Sequence, residues 1–126
     1  MGKLLAGRYV LVVEDEMMVL MNIEWVLGNL GCKDISAAAT VDGALALIGA
    51  TRQFDIAMLD INLGGETSYQ VADTLALQNV PFIFTTGYGK RSVDVRYCDR
   101  PVLQKPYRDD ELGNALAALL VAGHAA

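Results

Sequence analysis

The hydrophobic positions of this chain follow two alternating kinds of pattern. Short continuous apolar runs, such as Tyr9-Val10-Leu11-Val12-Val13, are typical of strands that are covered on both faces of a parallel sheet. After this run, apolar residues recur at helical spacing until Gly31 supplies a stop. The pattern predicts five strands, at residues 9–13, 33–38, 55–59, 81–85 and 101–104. Because strand and helix alternate throughout, we expect a parallel sheet with helices on both faces and right-handed crossovers.

The signals for the intervening helices differ in strength. Thr40 is the expected N-cap of a helix that runs to Ile48, and a Gly64-Gly65 turn leads into another helix. The last helix begins with three acidic residues at 109–111, whose charges suit the positive end of the helix dipole. From Gly87 to Arg100 the pattern predicts a short helix at most. Four large residues of the first helix are expected to be core or packing residues: Met17, Met18, Met21 and Trp25.

Length and composition limit the kinds of protein that this can be. A chain of 126 residues, 53% of them hydrophobic, fits one domain over residues 1–126 with its core at about 9–122. No room remains for an output domain of ordinary size. The apolar runs are shorter than the roughly 20 residues of a membrane helix, and the amino terminus has no export signal. Cys32 and Cys98 lack metal-binding spacing. We therefore expect a cytoplasmic protein with no membrane contact and two reduced thiols.

The net charge is −5 and argues against general nucleic-acid binding, which needs a positive field. The basic residues are nevertheless unevenly distributed. Six of the ten fall in one short segment: Lys90, Arg91, Arg96, Arg100, Lys105 and Arg108. This segment is either an ordinary solvated surface or a patch for an acidic partner, and the sequence leaves both interpretations open.

Four of the predicted strands are followed at once by polar residues. These residues are Glu14 and Asp15, Asp60, Thr86, and Lys105 with Pro106. Parallel sheets bind ligands at the carboxyl ends of their strands, near the point where the strand order reverses. If the order is 2-1-3-4-5, the four ends are neighbours and bring three carboxylates, one hydroxyl and one ammonium together.

That set of groups predicts phosphoryl chemistry. Three crowded carboxylates repel one another unless they bind a proton or a cation, and an all-oxygen set suits Mg²⁺. A metal ion beside a lysine and a hydroxyl can neutralise and hydrogen-bond the oxygens of a phosphoryl group. Asp60 is the best candidate for a nucleophile that would become an aspartyl phosphate, because it is central, single and flanked by strands that carry both kinds of helper group.

From Tyr9 to about Leu120 the chain resembles the receiver domains of bacterial two-component response regulators. The resemblance implies a flavodoxin-like (βα)5 fold with strand order 2-1-3-4-5. It implies that Glu14 and Asp15 hold Mg²⁺ together with Asp60, the phosphoacceptor. The other roles that it implies are a metal-binding backbone carbonyl at Asn62, a switch hydroxyl at Thr86, a phosphoryl-binding Lys105, and a cis peptide bond before Pro106.

The chain departs from the common receiver pattern at two places. Leu63-Gly64-Gly65-Glu66 stands where most receivers have Met-Pro after the phosphoacceptor, and Val102 stands where many have a switching aromatic residue. With Pro81-Phe82-Ile83-Phe84-Thr85-Thr86-Gly87-Tyr88, these departures resemble the stand-alone receivers of the FATGUY type, with Thr85 in place of alanine. Gly87 and Tyr88 are the expected switch relay, and Tyr88 is a candidate for the missing aromatic's role.

We therefore predict a signalling switch and not an enzyme with a separate substrate. The resemblance implies that Asp60 is phosphorylated by a histidine kinase, of the HWE or HisKA2 type, or by a phosphotransfer protein. A downstream protein would bind the face of the fourth helix, fifth strand and fifth helix, on a monomer or weak dimer. One alternative is a small haloacid-dehalogenase-like phosphohydrolase, which normally has a second Asp where this chain has Asn62. Another is a receiver-like binding module that is never phosphorylated.

Overall fold

The computed structural model describes residues 3–50, 53–87 and 93–125, with side chains described as far as residue 121. Its main sheet contains β1 (Tyr9–Val13), β2 (Asp34–Ala38), β3 (Ile56–Asp60), β4 (Phe82–Thr86) and β5 (Val102–Gln104). The α-helices of the described residues are α1 (Met17–Asn29), α2 (Val41–Ile48), α3 (Tyr69–Leu77) and α4 (Asp109–Ala125). A short antiparallel hairpin, Asn62–Leu63 with Glu66–Thr67, follows β3.

The five strands of the main sheet are parallel and lie in the order β2-β1-β3-β4-β5. This order confirms the predicted fold class and the arrangement 2-1-3-4-5. Val13 at the end of β1 lies beside Leu59, and Asp60 at the end of β3 lies beside Thr85. The residues that follow β1, β3 and β4 therefore meet at one edge of the sheet.

The sheet is buried on both faces, which explains the continuous apolar run of β1. Leu11 and Val13 belong to the cluster that packs under α2 and α3. Val10 and Val12 alternate with them and belong to the cluster under α1 and α4. Because successive side chains of a strand point to opposite faces, an apolar residue is favoured at every position.

The two helix-start signals read from the sequence, the Thr40 cap and the acidic residues at 109–111, are present in the structure. The Thr40 hydroxyl oxygen accepts a hydrogen bond of 3.0 Å from the Gly43 amide and caps α2, as predicted. Asp109, Asp110 and Glu111 occupy the first turn of α4. In the part of the chain that the structure describes, no helix has both the length and the apolar character that a membrane span requires.

Helix α1 has apolar residues on two faces, and the sequence prediction for one face is wrong. Ile23, Val26 and Leu27 are buried against the sheet. The four residues expected to pack are instead largely exposed: Met17 (72%), Met18 (81%), Met21 (58%) and Trp25 (66%). On a helix these positions fall within a stripe about 100° wide. The structure thus leaves an exposed apolar face, here named the α1 stripe, on the outer side of the helix.

The described part of the segment between β4 and β5 agrees with the prediction of a short helix at most. Within residues 93–100 the structure has one 3₁₀ turn, Val95–Tyr97, whose N-cap is Asp94. Tyr97 is buried against the core, while Val95 is 80% exposed. Residues 88–92 lie outside the described ranges, and this includes Tyr88, so its proposed aromatic role stays a prediction.

Candidate functional site

The carboxyl edge of the sheet brings together the polar residues that follow β1 and end β3. Glu14 and Asp60 are almost completely buried, at 2% and 6% exposure, whereas Asp15 is exposed. Each of the three offers a carboxylate oxygen, and these oxygens all lie within 4.8 Å of one another. Like charges at this separation repel each other strongly unless a cation lies between them.

One cation that approaches this cluster is the ammonium of Lys105, directly after β5. Lys105 Nζ is 3.0 Å from Glu14 Oε1 and 3.0 Å from Asp60 Oδ2. The Lys105 amide donates a 2.8 Å hydrogen bond to the carbonyl of Thr86, which fixes the backbone of this residue against the end of β4. The peptide bond between Lys105 and Pro106 is cis.

The second oxygens of the two buried carboxylates are held by backbone amides. Glu14 Oε2 accepts a hydrogen bond of 3.1 Å from the Glu16 amide. Asp60 Oδ1 accepts a longer one, of 3.3 Å, from the amide of Asn62. Each buried carboxylate is thus oriented by one amide and one ammonium contact. The sequence does not reveal the role of the Glu16 amide, because a backbone donor leaves no signal in residue type.

The pKa values of the site reflect burial and charge crowding. Burial raises the pKa of the Glu14 carboxyl above its ordinary value, against the lowering effect of its hydrogen bonds to Glu16 and Lys105. Burial alone would lower the pKa of Lys105, but its hydrogen bonds to Asp60 and Glu14 outweigh burial, so that the pKa is raised. Lys105 therefore stays charged, and one ammonium faces three carboxylates.

The hairpin after β3 forms one wall of the site. Gly64 and Gly65 make its turn with φ angles of 58° and 101°, a conformation that favours glycine at both positions. A β-carbon at Gly64 would lie 3.6 Å from Asp15 Oδ2, so the turn passes close to the exposed carboxylate. The Gly-Gly sequence thus closes a hairpin beside the three carboxylates, at the place where the common receiver pattern has Met-Pro.

An open cleft of about 450 Å³ lies over the cluster. Its walls come from the ends of four strands, β1, β3, β4 and β5, and from the hairpin after β3. The lining residues are Asp15, Glu16, Asp60, Asn62, Gly64, Gly87 and Lys105. The cleft gives a ligand of phosphoryl size access to Asp60 and Lys105 together.

The two threonines at the end of β4 differ in their surroundings. Both are buried, with 1% of the surface exposed. Thr85 is the register partner of Asp60, and its carbonyl accepts a hydrogen bond of 3.1 Å from Ile61. Thr86 follows on the opposite face of the strand, the face of Phe82 and Phe84. Gly87 is exposed in the cleft wall.

Comparison with known families places this site in context. The family described as response regulator receiver domain matches residues 10–117. No curated protein matches the chain significantly.

Solved structures with similar folds include several receiver proteins. The chain is 46% identical to SdrG from Sphingomonas melonis Fr1, covering 93% of this chain and 98% of SdrG with a TM-score of 0.78. The BeF3-activated conformation of SdrG, from Pseudomonas melonis Fr1, gives 46% identity over 91% of this chain and 98% of the other, with a TM-score of 0.77. The receiver domain of Erythrobacter litoralis PhyR is 28% identical over 92% of both chains, with a TM-score of 0.77. The chain therefore belongs to the response regulator receiver domain family.

Proposed function

We propose that Asp60 accepts a phosphoryl group from a phosphohistidine of a histidine kinase or phosphotransfer protein, and that the chain then signals by a conformational change around Thr86. The observation that carries this proposal is the position of Asp60. Its carboxylate ends a central strand, opens onto a cleft and lies 3.0 Å from the Lys105 ammonium. A second support is the similarity to SdrG, whose BeF3-activated conformation has been solved.

The chemistry of the transfer follows from the contacts of Asp60. A carboxylate oxygen of Asp60 forms a bond to phosphorus while the bond between phosphorus and the donor imidazole nitrogen breaks, and the imidazole leaves with the electron pair. Lys105, which now bridges Asp60 and Glu14, is placed to neutralise the phosphoryl oxygens. The Thr86 hydroxyl donates to one of these oxygens once the backbone at Gly87 adjusts.

The residues at the cluster fit a magnesium ion. Carboxylate oxygens from Glu14, Asp15 and Asp60 lie close enough to share one ion, and the backbone carbonyl of Asn62 is the fourth proposed donor. Such all-oxygen sets with room for water suit Mg²⁺. When bound, the ion would neutralise the carboxylates and the incoming phosphoryl oxygens.

Mg²⁺ binding is expected to stabilise the folded chain against urea. At a hundredfold excess over its Kd, Mg²⁺ should raise the free energy of unfolding by about 2.7 kcal/mol. Asp15→Asn should lose most of this gain at the same concentration, because it removes the exposed carboxylate of the cluster. Asp99→Asn, an exposed carboxylate outside the cleft, is the matched control and should keep the gain. An unchanged response in Asp15→Asn would contradict the proposed ligand set.

We further propose that the phosphodonor docks on the α1 stripe. A pocket of about 520 Å³ joins this stripe to the site, because its lining includes Met18 and Val19 of α1 together with Lys105 and Tyr107. Glu24 is the one charged residue of α1, and methionine-rich surfaces adapt readily to a protein partner. A protein that delivers a phosphoryl group to Asp60 must approach from the carboxyl edge of the sheet, where α1 begins. A kinase of the HWE or HisKA2 type is the proposed donor.

Trp25→Ala should slow phosphotransfer from the cognate kinase by about tenfold or more, as loss of a large aromatic anchor does at interfaces. Phosphorylation by acetyl phosphate needs no protein docking and should keep its rate. Leu77→Ala, which removes another exposed apolar side chain but on α3, is the control. Equal slowing with both donors would place the defect in the site itself and refute docking on the stripe.

The experiment that tests the main proposal is incubation with acetyl phosphate and Mg²⁺, followed by assay for acid-labile phosphate. One phosphate per chain is expected. No incorporation would favour the unphosphorylated binding module. Continuous turnover of phosphate monoesters would favour a phosphohydrolase, although Asn62 stands where that class has an acidic residue. Profiling of phosphotransfer against the host's histidine kinases would then identify the donor.

We also propose that residues 1–126 act as one receiver unit in the cytoplasm, as a monomer or weak dimer. The downstream partner is proposed to bind the face formed by residues 93–100, β5 and α4. Much of the basic charge described near this face is compensated within the chain. Arg96 pairs with Asp73 and Asp94, and Arg108 pairs with Asp110. For these two described residues the pairs support the solvated-surface interpretation, whereas Lys90 and Arg91 lie outside the described ranges.

A further inference from the structure

The 3₁₀ turn Val95–Tyr97 is fastened to α3 through a group of aromatic rings. The ring of Tyr97 stacks on that of Tyr69 with their centroids 6.2 Å apart and an interplanar angle of 5°. The Tyr69 hydroxyl oxygen accepts a hydrogen bond of 2.8 Å from the Asp94 amide. Two contacts therefore join Tyr69 at the start of α3 to the beginning and the end of this turn.

Asp73, one turn further along α3, closes the arrangement. The Tyr97 hydroxyl donates a hydrogen bond to Asp73 Oδ1. The same carboxylate accepts from the Arg96 guanidinium at 3.2 Å, and this guanidinium lies 5.4 Å from the centre of the Tyr97 ring. Burial, and next the hydrogen bond to Asp73, raise the pKa of Tyr97 to about 12, so the hydroxyl remains a donor at neutral pH.

The rings also connect the turn to the strand that ends in Thr86. Tyr97 packs edge-to-face on Phe82 and Phe84, each with its centroid 5.6 Å away. Phe82, Phe84 and Thr86 are alternate residues of β4 and share one face of the sheet. Val102, the register partner of Phe84, brings no ring to this face, and the ring of Tyr97 packs there instead.

We propose that the Tyr97–Asp73 contact is a latch that holds residues 94–100 against α3 in the unphosphorylated chain and opens when Asp60 is phosphorylated. This inference rests on the proposed function. Movement of Thr86 toward a phosphoryl group displaces the end of β4, and Phe84 carries that displacement to Tyr97. The latch gives residues 94–100 two discrete arrangements, closed against α3 and open. A two-state element of this kind can couple Asp60 to a distant partner surface. Opening changes the surface of residues 94–100 that a downstream partner meets.

Three amides of the turn report the state of the latch. They are those of Tyr97, Cys98 and Arg100, which donate to the carbonyls of Asp94, Val95 and Tyr97 respectively. In the parent chain, beryllofluoride with Mg²⁺ should speed their hydrogen exchange. Tyr97→Phe keeps the ring and removes only the hydroxyl, so it should raise these exchange rates about tenfold before beryllofluoride is added. Beryllofluoride should then raise them little further.

Asp73→Ala is the second variant and leaves the buried rings in place. Combined with Tyr97→Phe, it should raise the exchange rates by less than the product of the two single effects, because both changes remove the Tyr97–Asp73 contact and only the loss of the Arg96–Asp73 pair is new. Asp99→Asn, an exposed carboxylate in the same segment, should match the parent. By linkage, both latch variants should bind beryllofluoride more tightly than the parent.

Three results would overturn the latch. The first is parent-like exchange in Tyr97→Phe and Asp73→Ala. The second is exchange in the parent that stays unchanged or slows when beryllofluoride binds. The third is a parent chain that binds no beryllofluoride, and this result would remove the proposed function together with the latch. In the first two cases Asp60 still takes the ligand, so the proposed function survives.

Discussion

Asp60→Asn is expected to abolish incorporation of acid-labile phosphate, from acetyl phosphate and from a kinase alike. The change replaces the proposed nucleophile by a neutral amide of nearly the same shape, which cannot form an acyl phosphate. Loss of a nucleophile commonly lowers rates by several orders of magnitude, so we expect a fall of at least about 1,000-fold. The effect is measured by comparing the phosphate that the parent and the variant retain after neutral treatment and after acid treatment.

The fold of Asp60→Asn should remain intact, because an amide oxygen can still accept from the Asn62 amide and Lys105 still contacts Glu14. Circular dichroism and urea unfolding check this point. Asp99→Asn should be phosphorylated as the parent is. If Asp60→Asn retained acid-labile phosphate in full, another carboxylate of the cluster, Glu14 or Asp15, would have to be the acceptor.

Lys105→Met should have the second largest effect, and it should appear in stability as well as in phosphorylation. The methionine side chain leaves Glu14 and Asp60 buried side by side without their ammonium. Removing one partner of a buried charge pair costs about 3 to 5 kcal/mol, and we expect about 2 to 3 because the Lys105 side chain is 21% exposed. The rate of phosphorylation should fall by about 100-fold or more.

The stability deficit of Lys105→Met should depend on pH in a defined direction. Burial already raises the pKa of Glu14 in the parent, and loss of the cation raises it further. A carboxyl with a raised pKa in the folded state contributes its full stability below its unfolded pKa of about 4.3 and loses it as the pH rises through the folded value. The deficit should thus be largest at neutral pH and shrink in acid.

Urea unfolding in EDTA at several pH values measures this deficit. Lys105→Arg is the matched variant, because it keeps a cation with a different shape, and it should recover part of the stability. A Lys105→Met chain as stable as the parent at neutral pH would mean that water, not Lys105, compensates the two carboxylates.

Local pattern was enough to predict the strands and their parallel arrangement, whereas the strand order came from the resemblance to receiver domains. Every residue of β1 is apolar because both faces of the strand are covered, and this pattern can be read without knowing what covers them. The strand ends were equally visible, since a polar residue directly after a buried run marks where the sheet stops. Glu14, Asp60 and Lys105 were found in this way, and the fold places them in contact.

The α1 stripe shows where local pattern fails. Met17, Met18, Met21 and Trp25 are apolar at helical spacing, as are Ile23 and Leu27 on the other side of the helix. Periodicity identifies two apolar faces, but it carries no information about which face meets the sheet. Only the packing of α1 on the sheet decides that one face is buried and the other exposed.

The sequence by itself determined the alternating layout and the polar residues of the carboxyl edge, because each depends on neighbours a few positions apart. The tertiary structure decided the rest: the bridge from Lys105 to two carboxylates, the glycine turn beside Asp15, and the contact of Tyr97 with Asp73. Tyr97 and Asp73 are 24 positions apart in the chain, and Lys105 and Glu14 are 91 positions apart. No local pattern indicates that such distant residues pair. Their geometry arises only when the helices and strands pack around a common core.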